Sequence, residues 1–175
     1  MEDRIASRAH TAEHGGALTP VGWHDLRDWL SLIECRGLLQ RINCPVDPDE
    51  EIAAITFMAT RGEDAPALLF ENPLGDRTGA KVLTNMLGSS KERYALAVGL
   101  APDLSAAELI AQTRRLMNRR LAPVRIPKAK ALVNEIVLRE NEVDLTIYPA
   151  PKFWPGDGGR YIGQPSSNLI LACPP

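Results

Sequence analysis

The pattern of apolar residues changes near residue 122 of this chain. Before that point, several segments carry apolar residues three or four positions apart, which is the spacing of one helix face. After it, two apolar runs at 131–138 and 143–147 flank a Glu140-Asn141 turn and predict two β-strands. The change predicts a compact α+β domain over residues 23–121, followed by an all-β unit that starts at residue 122.

Capping signals predict four helices in the first domain. Asp25 caps a helix that Gly37 ends, and Ser90 opens a later one. Ser105 and Glu108 have the spacing of a capping box. Asp47 precedes a proline, with Glu50 placed to reach back to the helix start. The residues predicted to face the core are Leu26, Trp29, Leu30, Ile33, Ile52, Ile55, Ala59, Tyr94, Ala97, Val98, Leu109, Thr113, Leu116 and Met117.

Three short strands are predicted between these helices. Residues 38–46 alternate apolar and polar side chains, as in a half-buried strand. Residues 67–70 and 81–87 are two further apolar runs, separated by turn-forming residues. Residues 1–22 show no apolar period and are predicted to be a flexible leader.

Composition excludes several classes of protein. No window approaches the roughly 18 consecutive apolar residues of a membrane span, and the first residues lack a signal-peptide core. These features predict a cytoplasmic protein without membrane contact. Cys35, Cys44 and Cys173 are too few and too irregularly spaced for a disulfide framework or a metal site. We expect them to be small buried apolar residues.

A basic run lies between Leu109 and Asn134, where no acidic residue occurs. Such a run could bind phosphate groups of a nucleic acid or a cofactor. It could equally be positive charge at a helix C-terminus followed by a solvated connection. The net charge of −2 and the absence of interleaved aromatic residues predict that no nucleic acid binds. The run comprises Arg114, Arg115, Arg119, Arg120, Arg125, Lys128 and Lys130.

The other polar candidates do not form a catalytic or metal-binding pattern. His10 and His14 are four residues apart in the leader, and His24 lies beside it, so no rigid element holds them as metal ligands. Ser166-Ser167 has no histidine nearby in the sequence to act as a base. The remaining acidic residues are expected to be solvated at the turn and along the strands. They are Glu135, Glu140, Glu142 and Asp144.

A proline- and glycine-rich loop follows residue 148 and carries the strongest functional signal. Two large aromatic residues lie among three prolines, and the Asp157-Gly158-Gly159 run then permits a tight turn and a close approach to a ligand. A purely structural corner could use the same residues. The candidate binding residues are Trp154, Asp157, Gly158, Gly159, Arg160 and Tyr161.

This loop and several motifs before it make the chain resemble the UbiD family of (de)carboxylases. The resemblance includes Trp154-Pro155-Gly156-Asp157-Gly158-Gly159-Arg160-Tyr161-Ile162 and Asn85-Met86-Leu87-Gly88-Ser89-Ser90. It extends over 25–30, 37–42, 46–55 and 66–72, so that the ordered motifs cover most of the chain. The run from Pro149 to Pro155 is most similar to the phenolic-acid branch of the family.

The resemblance implies a fold, an activity and cofactors. The fold would be a mixed α/β domain followed by the incomplete start of a flavin-binding split β-barrel, here over 122–163. The activity would be non-oxidative removal or addition of CO2 on aromatic or other unsaturated acids. The cofactor would be prenylated FMN, held through a divalent metal and potassium. The loop residues named above would then lie near the flavin.

The chain departs from the family pattern after Gly163. Gln164 stands where a threonine is usual, and Asn168 is not followed by the expected arginine. We therefore assign no catalytic residue and no metal ligand in this chain. We expect residues 164–175 to be a divergent tail, as from a frameshift, a gene truncation or a misplaced end. We also expect the chain alone to bind no prenylated FMN and to have no activity.

An alternative interpretation is a stand-alone binding or assembly module. It would pair with a partner through the exposed edges of its unfinished barrel strands. A homo-oligomer is compatible with either interpretation.

Overall fold

A three-stranded sheet lies at the centre of the computed structural model, which describes residues 21–88, 90–118, 120 and 122–160. Strand β1 (Leu39–Val46) pairs in parallel with β2 (Ala67–Pro73), and β2 pairs antiparallel with β3 (Val82–Thr84). Parallel neighbours need a crossover connection, which helix α2 provides between β1 and β2. The helices are α1 (Leu26–Cys35), α2 (Glu51–Ala59), α3 (Lys91–Val98) and α4 (Ala106–Met117).

The central strand β2 is buried on both of its faces. Successive strand residues point to opposite faces, so Ala67 and Leu68 enter different parts of the core. Ala67 packs with Trp29 of α1 and Leu96 of α3, whereas Leu68 packs with Ile52 of α2. The mixed α/β prediction for this domain is therefore confirmed, with helices covering both sides of the sheet.

Arg93, on α3, is completely buried and joins two connections of the domain, the one before β2 and the one between β3 and α3. Its guanidinium donates hydrogen bonds to the carbonyl oxygens of Ala65 (2.6 Å), Asn85 (3.1 Å), Met86 (3.0 Å) and Gly88 (2.6 Å). Burial lowers the pKa of Arg93, and the nearby Asp64 carboxylate opposes that shift. The buried charge is thus solvated by backbone carbonyls in place of water.

Three of the four predicted helix starts are confirmed. Asp25 accepts hydrogen bonds from two backbone N–H groups, Ser90 caps α3, and Ser105 forms the capping box with Glu108. The start of α2 differs, because Glu51 rather than Glu50 reaches back, to the backbone N–H of Asp47 (2.7 Å). The predicted role of Glu50 is wrong.

The predicted inward faces are confirmed only in part. On α1, Trp29 and Ile33 are buried but Leu26 is half exposed. On α3, Arg93, Ala95 and Leu96 are the buried residues, because the helix is rotated to bring the arginine inward. The residues predicted for that face are only half-buried; they are Tyr94, Ala97 and Val98. Ile52 is buried, Ile55 is half-buried and Ala59 is exposed.

On helix α4, Leu109 is the one fully buried residue. The rest of its predicted stripe is not buried: Thr113 is half-buried, and Leu116 and Met117 are exposed. Within the described residues, no further element covers that face.

The two strands predicted over 131–138 and 143–147 are absent. The chain forms short 3-10 turns there instead, at Lys128–Lys130, Leu132–Asn134, Glu140–Glu142 and Leu145–Ile147. An isolated hairpin is unstable without a third strand or a core to pack on, and Leu132 and Val133 are both 85% exposed. The split barrel is therefore not confirmed, and the boundary near residue 122 stays a prediction.

Several other predictions concern surface residues or lie outside the described part. Cys35 and Cys44 are exposed, so their predicted burial is wrong. Cys35 ends α1 beyond its buried stripe, and Cys44 lies at an irregularity of the edge strand β1. Cys173, most of the leader (1–20) and the tail (164–175) lie outside the described residues. Over the described ranges, no helix has the length and apolarity to cross a bilayer.

Replacing Arg93 by methionine should destabilise the domain strongly. The substitution removes a hydrogen-bond donor from four carbonyl oxygens, of which that of Ala65 keeps a second donor from the Asn85 side chain (3.2 Å). Each carbonyl left buried and unpaired costs about 1–3 kcal/mol. We expect the free energy of unfolding in urea to fall by about 3 kcal/mol or more. The matched control is Arg77→Met, because Arg77 is exposed and such surface changes stay within about 0.5 kcal/mol. Equal losses for both variants would contradict the role assigned to Arg93.

An ion-pair network across the three strands should make stability depend on acid pH. Glu71 of β2 pairs with Arg41 of β1 and, at 3.2 Å, with Lys81. The hydrogen bonds from Arg41, and then from Lys81, hold the pKa of Glu71 below its ordinary value. A carboxylate with a lowered pKa in the folded state stabilises the fold above its unfolded pKa, and this contribution is lost as the pH falls.

Glu71→Gln should therefore be less stable than the original chain at neutral pH and approach it in acid. The measurement is urea unfolding at a series of pH values from about 7 down to about 3, across the ordinary glutamate pKa. Glu63→Gln is the control, because Glu63 makes no ion pair within the described residues. A constant difference between Glu71→Gln and the original chain at every pH would refute this expectation.

Candidate functional site

The proline- and glycine-rich loop is anchored at the N-terminus of helix α2. The backbone N–H of Lys152 donates to the carbonyl of Pro48 (2.9 Å), and the N–H of Glu50 donates to the carbonyl of Lys152 (3.2 Å). Residues 49 and 152 thereby form an isolated parallel bridge, and Pro151 beside it is buried. A segment about a hundred positions away in the sequence is thus joined to the start of α2.

An ion pair strengthens this junction. The Lys152 ammonium lies 2.6 Å from the Glu50 carboxylate and 3.7 Å from that of Asp49. The hydrogen bond to Glu50, together with both negative charges, raises the pKa of Lys152. Glu50 has a left-handed backbone (φ 71°), which is uncommon for a residue with a side chain. The carboxylate predicted to cap α2 therefore holds the loop instead.

An aromatic contact continues the junction along α2. Trp154 meets Phe57 edge to face, with ring centroids 5.9 Å apart and planes at 74°, the arrangement that aromatic pairs favour. The Arg61 guanidinium lies over the same Phe57 ring at 4.9 Å. Trp154 and Phe57 are each about half exposed (57% and 48%), so the cluster is a surface feature open to a ligand or to further protein.

The turn after Trp154 is closed by Asp157. The backbone N–H of Trp154 donates to the Asp157 carboxylate (3.0 Å), and the N–H of Asp157 donates to the carbonyl of Trp154 (2.9 Å). The side chain and the backbone of Asp157 therefore both form hydrogen bonds that close the turn. A Cβ atom added at Gly158 or Gly159 would meet nothing within 4 Å, so this backbone is open to close approach. Arg160 follows and is exposed.

A small polar pocket lies where the loop returns to the domain. Its volume is about 130 Å³, and it is lined in part by Asp47, Asp76, Tyr148 and Arg160. Ligand pockets for drug-sized molecules measure about 300–1,000 Å³, so this one is too small for a flavin nucleotide. The described residues thus provide an exposed loop surface and one unpaired cation, Arg160, but they do not by themselves form a site that fits a flavin. We derive no chemical step through that cofactor.

Five of the six predicted site residues lie together on this loop, and Tyr161 lies outside the described residues. Their position near a flavin stays a prediction. The sequence analysis missed the residues that hold the loop, namely Glu50, Phe57, Arg61 and Lys152. Phe57 and Arg61 are four positions apart, the spacing of neighbours on a helix surface. That spacing could have been noticed, but the pairing with residues 152 and 154 could not.

Those of the remaining polar candidates that the structure describes form no second cluster of this kind. His24 is exposed and lies 2.9 Å from the Asp28 carboxylate. In the described ranges, no group of three or more His, Cys, Asp or Glu residues is arranged to hold a metal ion. Arg114 and Arg115 occupy the last turn of α4, and Arg119 together with His10, His14 and Ser166-Ser167 is outside the described residues. The rest of the basic run and the four acidic residues after it are exposed.

Solved structures of decarboxylases are similar to this chain. Vanillic acid decarboxylase from Sedimentibacter hydroxybenzoicus in its closed form is 31% identical over 80% of the chain, with a TM-score of 0.69. The UbiD-class enzyme HmfF from Pelotomaculum thermopropionicum, in an evolved dimeric form in complex with prFMN, is 33% identical over 80%, with a TM-score of 0.62. The apo 3,4-dihydroxybenzoic acid decarboxylase from Enterobacter cloacae is 27% identical over 79%, with a TM-score of 0.66.

The chain spans about 30% of the length of these structures: 29% for the decarboxylases from Sedimentibacter and Enterobacter and 30% for HmfF. Two sequence profiles locate the similarity within the family. The N-terminal domain of 3-octaprenyl-4-hydroxybenzoate carboxy-lyase matches residues 30–113, and the Rift-related domain of the same enzyme matches residues 124–171. Together with the structures, they show that this chain belongs to the UbiD family, corresponds to its N-terminal portion, and is similar to members of its phenolic-acid branch.

Proposed function

We propose that this chain serves as the N-terminal portion of a UbiD-type carboxy-lyase. The enzyme would decarboxylate, or carboxylate, aromatic or other unsaturated acids without net oxidation. The family membership supports this reaction class. The single observation that carries the proposal is the junction at α2, because it holds the loop bearing the family motif through Lys152 and Trp154.

Within that function, α2 acts as a platform for the loop. Asp157 closes the turn, and the bare backbone at Gly158 and Gly159 lets a planar or phosphorylated group approach closely. Arg160 makes no ion pair within the described residues, so its guanidinium is available to an anion. These roles require the loop to be rigid, and the contacts with Glu50 and Phe57 supply that rigidity.

The proposed cofactor is prenylated FMN with a divalent metal and potassium. HmfF, one of the similar structures, is in complex with prFMN. We further propose that the chain alone neither binds the flavin nor turns over substrate. The small volume of the pocket beside the loop and the exposure of the loop itself support the proposal that the chain alone does not bind the flavin. The comparisons do not favour the stand-alone module as the alternative.

An activity assay tests the proposal directly. The purified chain is mixed with prenylated FMN, a divalent metal and potassium, and a panel of hydroxybenzoates is followed for loss of CO2. We expect no turnover above a control containing flavin alone, because the described residues form only one wall of a flavin site. Turnover above that control would overturn the proposed inactivity of the chain alone.

A second arm tests the family assignment of the reaction. Residues 1–160 of this chain replace the matching portion of the vanillic acid decarboxylase from Sedimentibacter hydroxybenzoicus. We expect the chimaera to decarboxylate vanillate and to lose most of that activity with Arg160→Gln. The matched control is Arg125→Gln, an exposed arginine outside the loop. If the two variants of a folded chimaera were equally active, the role given to Arg160 would be wrong.

Lys152→Met should loosen the loop without unfolding the domain. The substitution removes the ammonium that bonds to Glu50, so the residues of the loop should open more often. Hydrogen exchange of the peptide spanning residues 149–160, read by mass spectrometry, should become severalfold faster. Exchange over β2 should stay unchanged, because the sheet does not depend on this ion pair.

Lys130→Met is the matched control for loop opening. Lys130 lies in the same C-terminal half, is exposed, and makes no ion pair within the described part of the chain. We expect it to leave exchange over residues 149–160 unchanged. Equal exchange in both variants and the original chain would show that the ion pair does not hold the loop.

A further inference from the structure

A second concave site lies between helices α3 and α4, formed by residues that belong to neither the loop nor its platform. It encloses about 350 Å³, within the range of small-molecule pockets. Its walls come from α3 on one side and α4 on the other, and they are almost entirely apolar. Lining residues include Lys91, Tyr94, Leu109, Ile110, Thr113 and Arg114.

The charges at this α3/α4 groove all have one sign. Lys91 and Arg114 are the charged lining residues, and no carboxylate lines the groove. Both side chains are exposed, and within the described residues neither forms an ion pair. Two unpaired cations beside apolar walls favour a ligand that is apolar over most of its surface and negatively charged at one end.

Thr113 gives a second and independent observation. Its hydroxyl oxygen is buried and has no hydrogen-bond partner within the described part of the chain. Buried polar groups are nearly always paired, so an unpaired hydroxyl indicates a missing partner. Thr113 lines the groove, and an oxygen-bearing ligand bound there could supply that partner.

The size of the groove favours a small molecule over a polypeptide. A stable protein contact buries about 800 Å² of surface on each partner, which is far more surface than the few residues lining this groove expose. The other exposed apolar residues of α4, Leu116 and Met117, are not among the groove residues. The groove is thus a local site of ligand size at the contact of α3 and α4.

We propose that the α3/α4 groove binds a small apolar carboxylic acid, with its hydrocarbon portion against Leu109 and Ile110 and its carboxylate near Lys91 and Arg114. The groove shares no lining residue with the proline- and glycine-rich loop and does not depend on the function proposed above. It would give the N-terminal domain a ligand site of its own.

The test uses 3-phenylpropionate and its neutral counterpart 3-phenylpropanamide. In this acid the carboxyl group is attached to a saturated carbon and not to a ring or a double bond, so the proposed decarboxylation should not act on it and its binding reports on the groove. Each compound is titrated into the isotopically labelled chain without flavin, and backbone amide signals are followed by NMR. We expect saturable shifts for Lys91, Ile110 and Thr113, with the acid binding about tenfold more tightly than the amide.

Charge variants on α3 and α4 separate the groove from general electrostatic attraction. Lys91→Gln and Arg114→Gln should each weaken binding of the acid by about threefold, because the two cations share the tenfold preference for the acid, while leaving that of the amide unchanged. The matched control is Arg115→Gln, because Arg115 is the neighbouring exposed arginine of the same helix and does not line the groove. It should leave both affinities unchanged. All three changes are at exposed positions and should preserve the fold.

Several results would overturn the proposal. They are equal affinity for the acid and the amide, an equal effect of Arg114→Gln and Arg115→Gln, or no saturable shift at millimolar acid. Concentration-dependent broadening at Ile110 without acid binding would assign the groove to a second copy of the chain instead. A positive result would stand even if the decarboxylase proposal failed, since neither flavin nor turnover enters the measurement.

Discussion

The buried guanidinium of Arg93 is the interaction on which the arrangement of this domain depends. It bonds to carbonyl groups just before β2 and in the connection between β3 and α3. A charge in a protein interior is costly unless every polar atom around it is paired, and backbone carbonyls provide that pairing here. The position of α3 on the sheet therefore follows from hydrogen bonds as much as from the apolar contact of Leu96.

The position of α2 decides where the family loop can lie. Ile52 places one face of α2 on β2, which leaves Phe57 and Arg61 on the surface and Glu50 at the helix start. The same short helix thus packs in the core and holds a segment distant in the sequence. Because an ion pair and an aromatic contact lie one after the other, the loop is fixed at two points rather than at one.

The two sites of this domain use different chemistry. At the loop, cations are paired with carboxylates, so that Lys152 is part of the structure and only Arg160 is left for an anion. At the α3/α4 groove, Lys91 and Arg114 are unpaired and border apolar walls. Arg114 belongs to the basic run and lines the groove, whereas the neighbouring Arg115 does not. Spacing along the chain does not separate these two arginines, and only the three-dimensional arrangement does.

Local features were determined by the sequence itself. The sequence predicted the helix caps at Asp25, Ser90 and Ser105 and the buried pair Trp29 and Ile33, because these features depend on residues a few positions apart. The family resemblance was predictable as well, because it depends on an ordered set of motifs. The tertiary structure decided the burial of Arg93, the ion pair of Glu50 with Lys152, and the absence of the two predicted strands from the described residues 122–160. Each of these outcomes depends on partners brought together from distant positions, or on their absence within the described residues, and spacing along the chain carries no information about such contacts.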